Sequence, residues 1–188
     1  MPTQLDRLRD IALDQYGFVT VRQAATIGIA GVELVKMHSR GRLERVAHGV
    51  YRVPHMPQTH FDQFQLAVLW TGDERTVLGH ETALELWELG DYLPDKIHLT
   101  IPPTLRLRRA GGDAYVLHAE NLSPADKTWC EGLPIVTPKK AIEQCIREGF
   151  SSAIITDTLT NALERELVSQ GDHERLRVEA ASRDRLPQ

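Results

Sequence analysis

Cysteine is scarce in this chain, with only Cys130 and Cys145 among 188 residues and no C-x-x-C pair. That excludes a disulfide framework and a zinc knuckle, and leaves two reduced thiols in or near a core as the expectation. Long apolar runs are missing too. No stretch approaches the roughly 18 consecutive apolar residues of a membrane span, and the opening MPTQLDRLRDIA lacks the apolar run of a secretory signal. A cytoplasmic protein with no membrane partner is therefore expected. Neither G-x-x-x-x-G-K-[ST] nor G-x-G-x-x-G occurs, so no glycine-rich loop is present to cradle a nucleotide. His80-Glu81-Thr82-Ala83-Leu84 begins like the zinc-protease H-E-x-x-H, but leucine stands where the second ligand is needed. The eight histidines, with Trp70, Trp87 and Trp129, are read as packing or surface residues. No enzyme, cofactor or metal site is expected.

What is present is an uneven distribution of charge. The net charge is −4, yet residues 1–55 hold eight Lys and Arg against five Asp and Glu, while the remainder holds 14 against 21. A basic module of +3 joined to an acidic one of −7 makes the first a candidate for a polyanionic partner. The boundary is expected in the proline-marked stretch Pro54-His-Met-Pro57. This divides the chain into residues 1–55, residues 58–170 and a charged tail, 171–188.

The first module reads as three helices and a hairpin. Leu5, Leu8, Ile11 and Ala12 recur at helical spacing, so a helix is predicted from Gln4 to about Gln15, ending near Gly17. After the extended GFVT, Thr20 and Gln23 form a capping-box pattern, and Val21, Ala24, Ala25 and Gly28 give the second helix a small-residue face. The third helix is expected over Ala30–Arg40, with Leu34, Met37 and His38 on one face. Gly41 can stop it in a left-handed conformation. RGRLERVAHGVYRV, residues 40–53, then carries four arginines on two short strands, Leu43 to Val46 and Val50 to Val53, joined through Ala47-His48-Gly49. Imperfect alternation of Leu43, Val46 and Tyr51 predicts a twisted or bulged ribbon. That order is a winged helix-turn-helix.

In such a module the third helix enters the major groove while hairpin and second-helix cations hold phosphates. Arg22, Arg42, Arg45 and Arg52 are the phosphate candidates, with His48 at the hairpin turn. Gly31, Val32, Val35, Lys36, Ser39 and Arg40 are candidates for the groove-facing surface, Lys36 and Arg40 to bond guanine and the valines to touch a thymine methyl. Arg45 has Glu44 and Glu33 as alternative partners.

FVTVRQAATIGIAGVELVKMHSRGRLERVAHGVYRVP resembles the N-terminal winged-helix domain of AbiEi-type antitoxins, whose G-x-L-x-R-V-x-x-G-V-Y-R pattern is matched from Gly41 to Arg52. HETALELWELGDYLPDKIHLTIP and GLPIVTPKKAIEQCIREG resemble later stretches of the same family, extending the likeness over about residues 4–170. One departure is Ala30-Gly31 where such families often cap the third helix with serine or threonine. The resemblance implies an antitoxin of a toxin–antitoxin system that acts as a transcriptional regulator. It implies binding of double-stranded DNA at inverted repeats in the protein's own promoter, and a nucleotidyltransferase-like toxin as partner. The chain lacks the Gly-Ser and paired Asp-x-Asp of such a toxin.

The second module reads as mixed α/β, making the whole chain α+β. Helices are expected at Gln58–Trp70, His80–Leu89, from Thr137-Pro138, and at Ser152–Val168. Strands are expected at Ile97–Ile101 and Ala114–His118. Arg106, Arg108 and Arg109 form a dense basic run that either adds phosphate contacts or is a solvated loop. A protein-interaction module that antagonises a toxin by direct contact, without specific DNA binding, is the competing reading, because fold does not dictate ligand.

Overall fold

The computed structural model describes residues 2–108 and 110–184. It divides into two compact units, Met1–Glu74 with Arg106–Gly112, and Arg75–Leu105 with Asp113–Gln188.

The first unit has the expected order: α1 (Gln4–Leu13), β1 (Phe18–Thr20), α2 (Val21–Thr26), α3 (Gly31–Ser39), β2 (Glu44–Ala47) and β3 (Val50–Arg52). α1 starts at a Thr3–Asp6 capping box and α2 at the Thr20–Gln23 box, so each satisfies amide groups that the first helical turn leaves open. The three strands form one antiparallel sheet in the order β1-β3-β2. Its register shifts between Arg45 and Ala47, which is the bulge that the broken alternation predicts. Leu8, Val19, Ile29, Leu34, Leu43 and Val53 lie in the core between helices and sheet.

This unit runs past the Pro54–Pro57 stretch because a fourth helix, α4 (Asp62–Thr71), is fastened to it. Arg52 Nη1 meets Asp62 Oδ2 at 2.7 Å, and the Tyr16 and Phe61 rings lie 5.9 Å apart. The segment carrying the basic run also belongs to this unit, held by a 3.0 Å hydrogen bond from Trp70 Nε1 to the Ala110 carbonyl.

The second unit is a five-stranded mixed sheet with helices: β4 (Val77–Leu78), α5 (His80–Leu86), β5 (Ile97–Ile101), β6 (Tyr115–Ala119), β7 (Lys127–Cys130), β8 (Leu133–Val136), α6 (Pro138–Glu148), α7 (Ser152–Glu164) and α8 (Gln170–Arg183). The strand order is β6-β5-β4-β8-β7, with β5·β6 and β4·β8 parallel. α7 stops short of Val168 because Glu166 turns left-handed (φ 56°). The charged tail continues as α8, which buries Leu176 and Ala180, and its residues 185–188 lie outside the described ones. Cys145 is buried and Cys130 half-buried, both as free thiols. No helix among the described residues is long and apolar enough to cross a membrane.

Candidate nucleic-acid interface

The geometry of α3 follows from how its two ends are made. At its start Ala30 gives no side-chain cap, and Gly31 lies so close to α2 that a Cβ there would come within 3.0 Å of Val21 Cγ1. Gly31 is therefore a half-buried point of contact between the two helices of the helix-turn-helix. At the other end Gly41 (φ 68°) turns the chain: its amide donates to the His38 carbonyl and the Arg42 amide to the Met37 carbonyl, both at 2.9 Å. That pair of bonds is a Schellman stop, and it places Arg40 and Arg42 on either side of the turning glycine.

Between these ends Leu34 and Met37 are buried, and Val32, Val35, Lys36 and Ser39 repeat at i, i+3, i+4 and i+7 on the exposed side. Val32 is 57% exposed and Val35 54% exposed, an apolar stripe that the unit leaves in solvent. Lys36 Nζ reaches Glu33 at 2.7 Å, a surface pair of little net strength that a phosphate or base can displace. Ser39 Oγ donates to the Lys36 carbonyl.

The hairpin arginines divide by strand register. Residues directly opposite on paired strands project from the same face. Arg45 is opposite Tyr51, whose ring packs edge-on against His38 of α3, while His38 Nδ1 lies 3.0 Å from the Leu43 carbonyl. Arg45 thus leaves the sheet on the α3 side. Arg52 is opposite Glu44 and Phe18 on the other side. There its guanidinium stands 5.0 Å over the Phe18 ring and pairs with Asp62, with only 12% and 15% of the two side chains exposed. Arg52 is a structural cation, contrary to the expectation that it faces phosphate.

Arg40, Arg42 and Arg45 are exposed, and none of them makes an ion pair or side-chain hydrogen bond among the described residues. Arg45 takes neither Glu44 nor Glu33. Arg22 and His48 sit apart from this group, lining a cleft of about 410 Å³ between the start of α2, the hairpin turn and the end of α4. Arg22 reaches Glu74 at 3.4 Å and the Gly72 carbonyl at 3.2 Å there, yet remains 64% exposed. Arg106 and Arg108 are exposed, and Arg109 lies outside the described residues.

The second unit holds a constellation that the linear sequence conceals. His80, His98 and His118, from α5, β5 and β6, each bring a ring nitrogen within 4.8 Å of the others. The rings of His80 and His118 stack at 3.5 Å, and His118 Nε2 lies 3.1 Å from His98 Nδ1. Burial, with the neighbouring imidazoles, pushes His80 down to about 3 and His118 to about 4. With His118 neutral, its 3.0 Å contact to Glu148 Oε1 is a hydrogen bond donated by Nδ1–H rather than an ion pair. Leu84, at the position of the missing protease ligand, is fully buried in the core. No local spacing links three histidines on three elements, so only the fold reveals them.

Helices α1–α3, the three-stranded antiparallel sheet and the exposed face of α3 define residues 4–52 of the first unit as a winged helix-turn-helix. The family model described as "Transcriptional regulator, AbiEi antitoxin" matches residues 6–54. That span falls on the winged helix-turn-helix, which is therefore similar to the N-terminal domain of AbiEi-type antitoxins and transcriptional regulators. Among solved structures, the RV2827C protein from Mycobacterium tuberculosis is similar at 19% identity, with a TM-score of 0.54 over 97% of this chain and 75% of that one, a likeness of fold. A search of curated proteins gives no significant match.

Proposed function

We propose that the chain is an autoregulatory antitoxin that binds double-stranded DNA at inverted repeats in its own promoter and whose partner is a nucleotidyltransferase-like toxin. Val32, Val35, Lys36 and Ser39 face base edges in the major groove; Arg40, Arg42 and Arg45 hold the flanking phosphates. Arg22, His48, Arg106 and Arg108 are peripheral to that contact, and Arg52 supports the fold. The observation that carries this reading is the exposed apolar stripe of α3 bordered by three unpaired arginines, within the residues that match a regulator family. The antitoxin role rests on the family type of the same domain.

A gel-shift titration on the upstream region of the protein's own gene, against a scrambled duplex of equal length, tests it. Salt-sensitive binding that prefers the upstream sequence is expected, with Lys36→Ala changing the preference. Equal binding to both duplexes removes the regulator reading. Co-purification with a toxin encoded in the neighbouring gene would then leave a module that acts by protein contact alone.

A further inference from the structure

In the second unit, Leu78 of β4 pairs with Leu99 of β5, and the chain leaves β4 through Gly79 straight into His80. A side chain at Gly79 would collide with Thr100 Oγ1 and Gln144 Oε1, so the backbone passes where only glycine fits. His80 itself is held left-handed (φ 54°), its amide donating to Gln144 Oε1 at 3.0 Å. Gln144 is buried and also donates to Thr100 and Glu120, so the His80 backbone is fixed by a polar network inside the unit. His98 and His118 stand on adjacent parallel strands at positions two apart in register, which puts both rings on one sheet face.

We propose that His80, His98 and His118 bind one divalent transition-metal ion of the zinc type, with Glu148 as the orienting or fourth group, and that the ion clasps α5, β5 and β6 together. Three imidazoles with a carboxylate are a donor set that favours zinc, cobalt, nickel and copper over magnesium or calcium. Zinc bonds of 2.0–2.1 Å in a tetrahedron place ligand atoms about 3.3 Å apart. The His118–His98 pair already stands at 3.1 Å, and one ring nitrogen of each of the three histidines lies within 4.8 Å of the others, so coordination requires only a shift of the His80 ring toward that pair. Two further features fit a ligand. His80 Nδ1 is buried with no hydrogen-bond partner among the described residues. The Glu148 carboxylate on His118 Nδ1 is the outer-shell arrangement that fixes a metal-binding tautomer and leaves Nε2 to coordinate.

The test uses the full untagged chain, freed of metal by chelation and titrated with Co²⁺ and then Zn²⁺. One Co²⁺ per chain, with the visible bands of a low-coordinate nitrogen-rich site and displacement by Zn²⁺, is expected, together with a rise in melting temperature. Glu148→Gln should weaken binding roughly 10–100-fold. His98→Gln with His118→Gln should abolish it, while His173→Gln, outside the cluster, leaves it intact. The circular dichroism of each metal-free variant separates loss of ligands from loss of fold. Failure of the wild-type chain to take up a stoichiometric ion, or retention of the cobalt spectrum by a folded double variant, overturns the proposal.

Discussion

The two kinds of arginine on the hairpin should separate cleanly under salt. Arg40, Arg42 and Arg45 present three exposed cations to phosphate, while Arg52 is consumed by Asp62 and Phe18. One phosphate per arginine gives a slope of roughly −2.7 in log K against log salt, an affinity loss of about 40-fold between 50 and 200 mM. Arg42→Ala with Arg45→Ala should bring the slope to roughly −0.9 and the same loss to about 3.5-fold, on every sequence alike. Their solvent-exposed positions predict a stability change within about 0.5 kcal/mol. Arg52→Ala acts differently. It strands the Asp62 carboxylate in a largely buried site and should cost about 2–4 kcal/mol of folding free energy, while leaving the salt slope of the folded fraction unchanged. Fluorescence anisotropy across a salt series reads the slopes and urea unfolding reads the stabilities. A reduced slope in Arg52→Ala without loss of stability, or an unchanged slope in the Arg42/Arg45 variant, would refute the division of the hairpin by register.

Four further outcomes follow from packing and charge. Gly31→Val should cost about 1–3 kcal/mol in urea unfolding, because Val21 Cγ1 already stands 3.0 Å from the position of a Cβ. Gln144→Leu leaves the His80 amide and the Thr100 hydroxyl without their partner and should lower stability by about 2–3 kcal/mol, read by thermal unfolding. Burial pushes the Cys145 thiol up and, less strongly, that of Cys130, so a disulfide reagent at neutral pH should modify Cys130 slowly and Cys145 only after denaturant is added. Asp172 is held below its ordinary value of 3.8 by hydrogen bonds from Lys139 and Ser169 at the start of α8. A depressed carboxylate stabilises above its unfolded pKa and loses that contribution as pH falls. Asp172→Asn should therefore cost about 0.5–1 kcal/mol at pH 6 and progressively less below pH 4, measured by urea midpoints.

The sequence carries its clearest information where cause and effect lie within one turn of chain. Thr20 and Gln23 announce a helix start, Gly41 a helix stop, and the irregular apolar positions around Val46 a bulge; each signal is written in the same few residues whose backbone it fixes. The exposed stripe of α3 is legible for the same reason, since burial of Leu34 and Met37 forces Val32, Val35, Lys36 and Ser39 outward. Arg52 shows where such reading stops. In sequence it is one more arginine on a basic ribbon, and its fate is decided by Asp62, which lies on the next helix, beyond two prolines. The register that sends Arg45 one way and Arg52 the other exists only once β2 and β3 have paired. The histidines carry the same lesson further. His80, His98 and His118 sit in three different sequence contexts, an incomplete protease-like motif, an alternating strand and a short apolar run. Nothing local sets them apart from five other histidines. They meet because β4 pairs antiparallel with β5 and β5 parallel with β6, which stacks a helix start and two strand positions over one face of the sheet. Chemistry assembled by strand pairing is invisible to periodicity, so the acidic unit, which gave the fewest functional signals in sequence, holds a cluster of three metal-ligand side chains once folded.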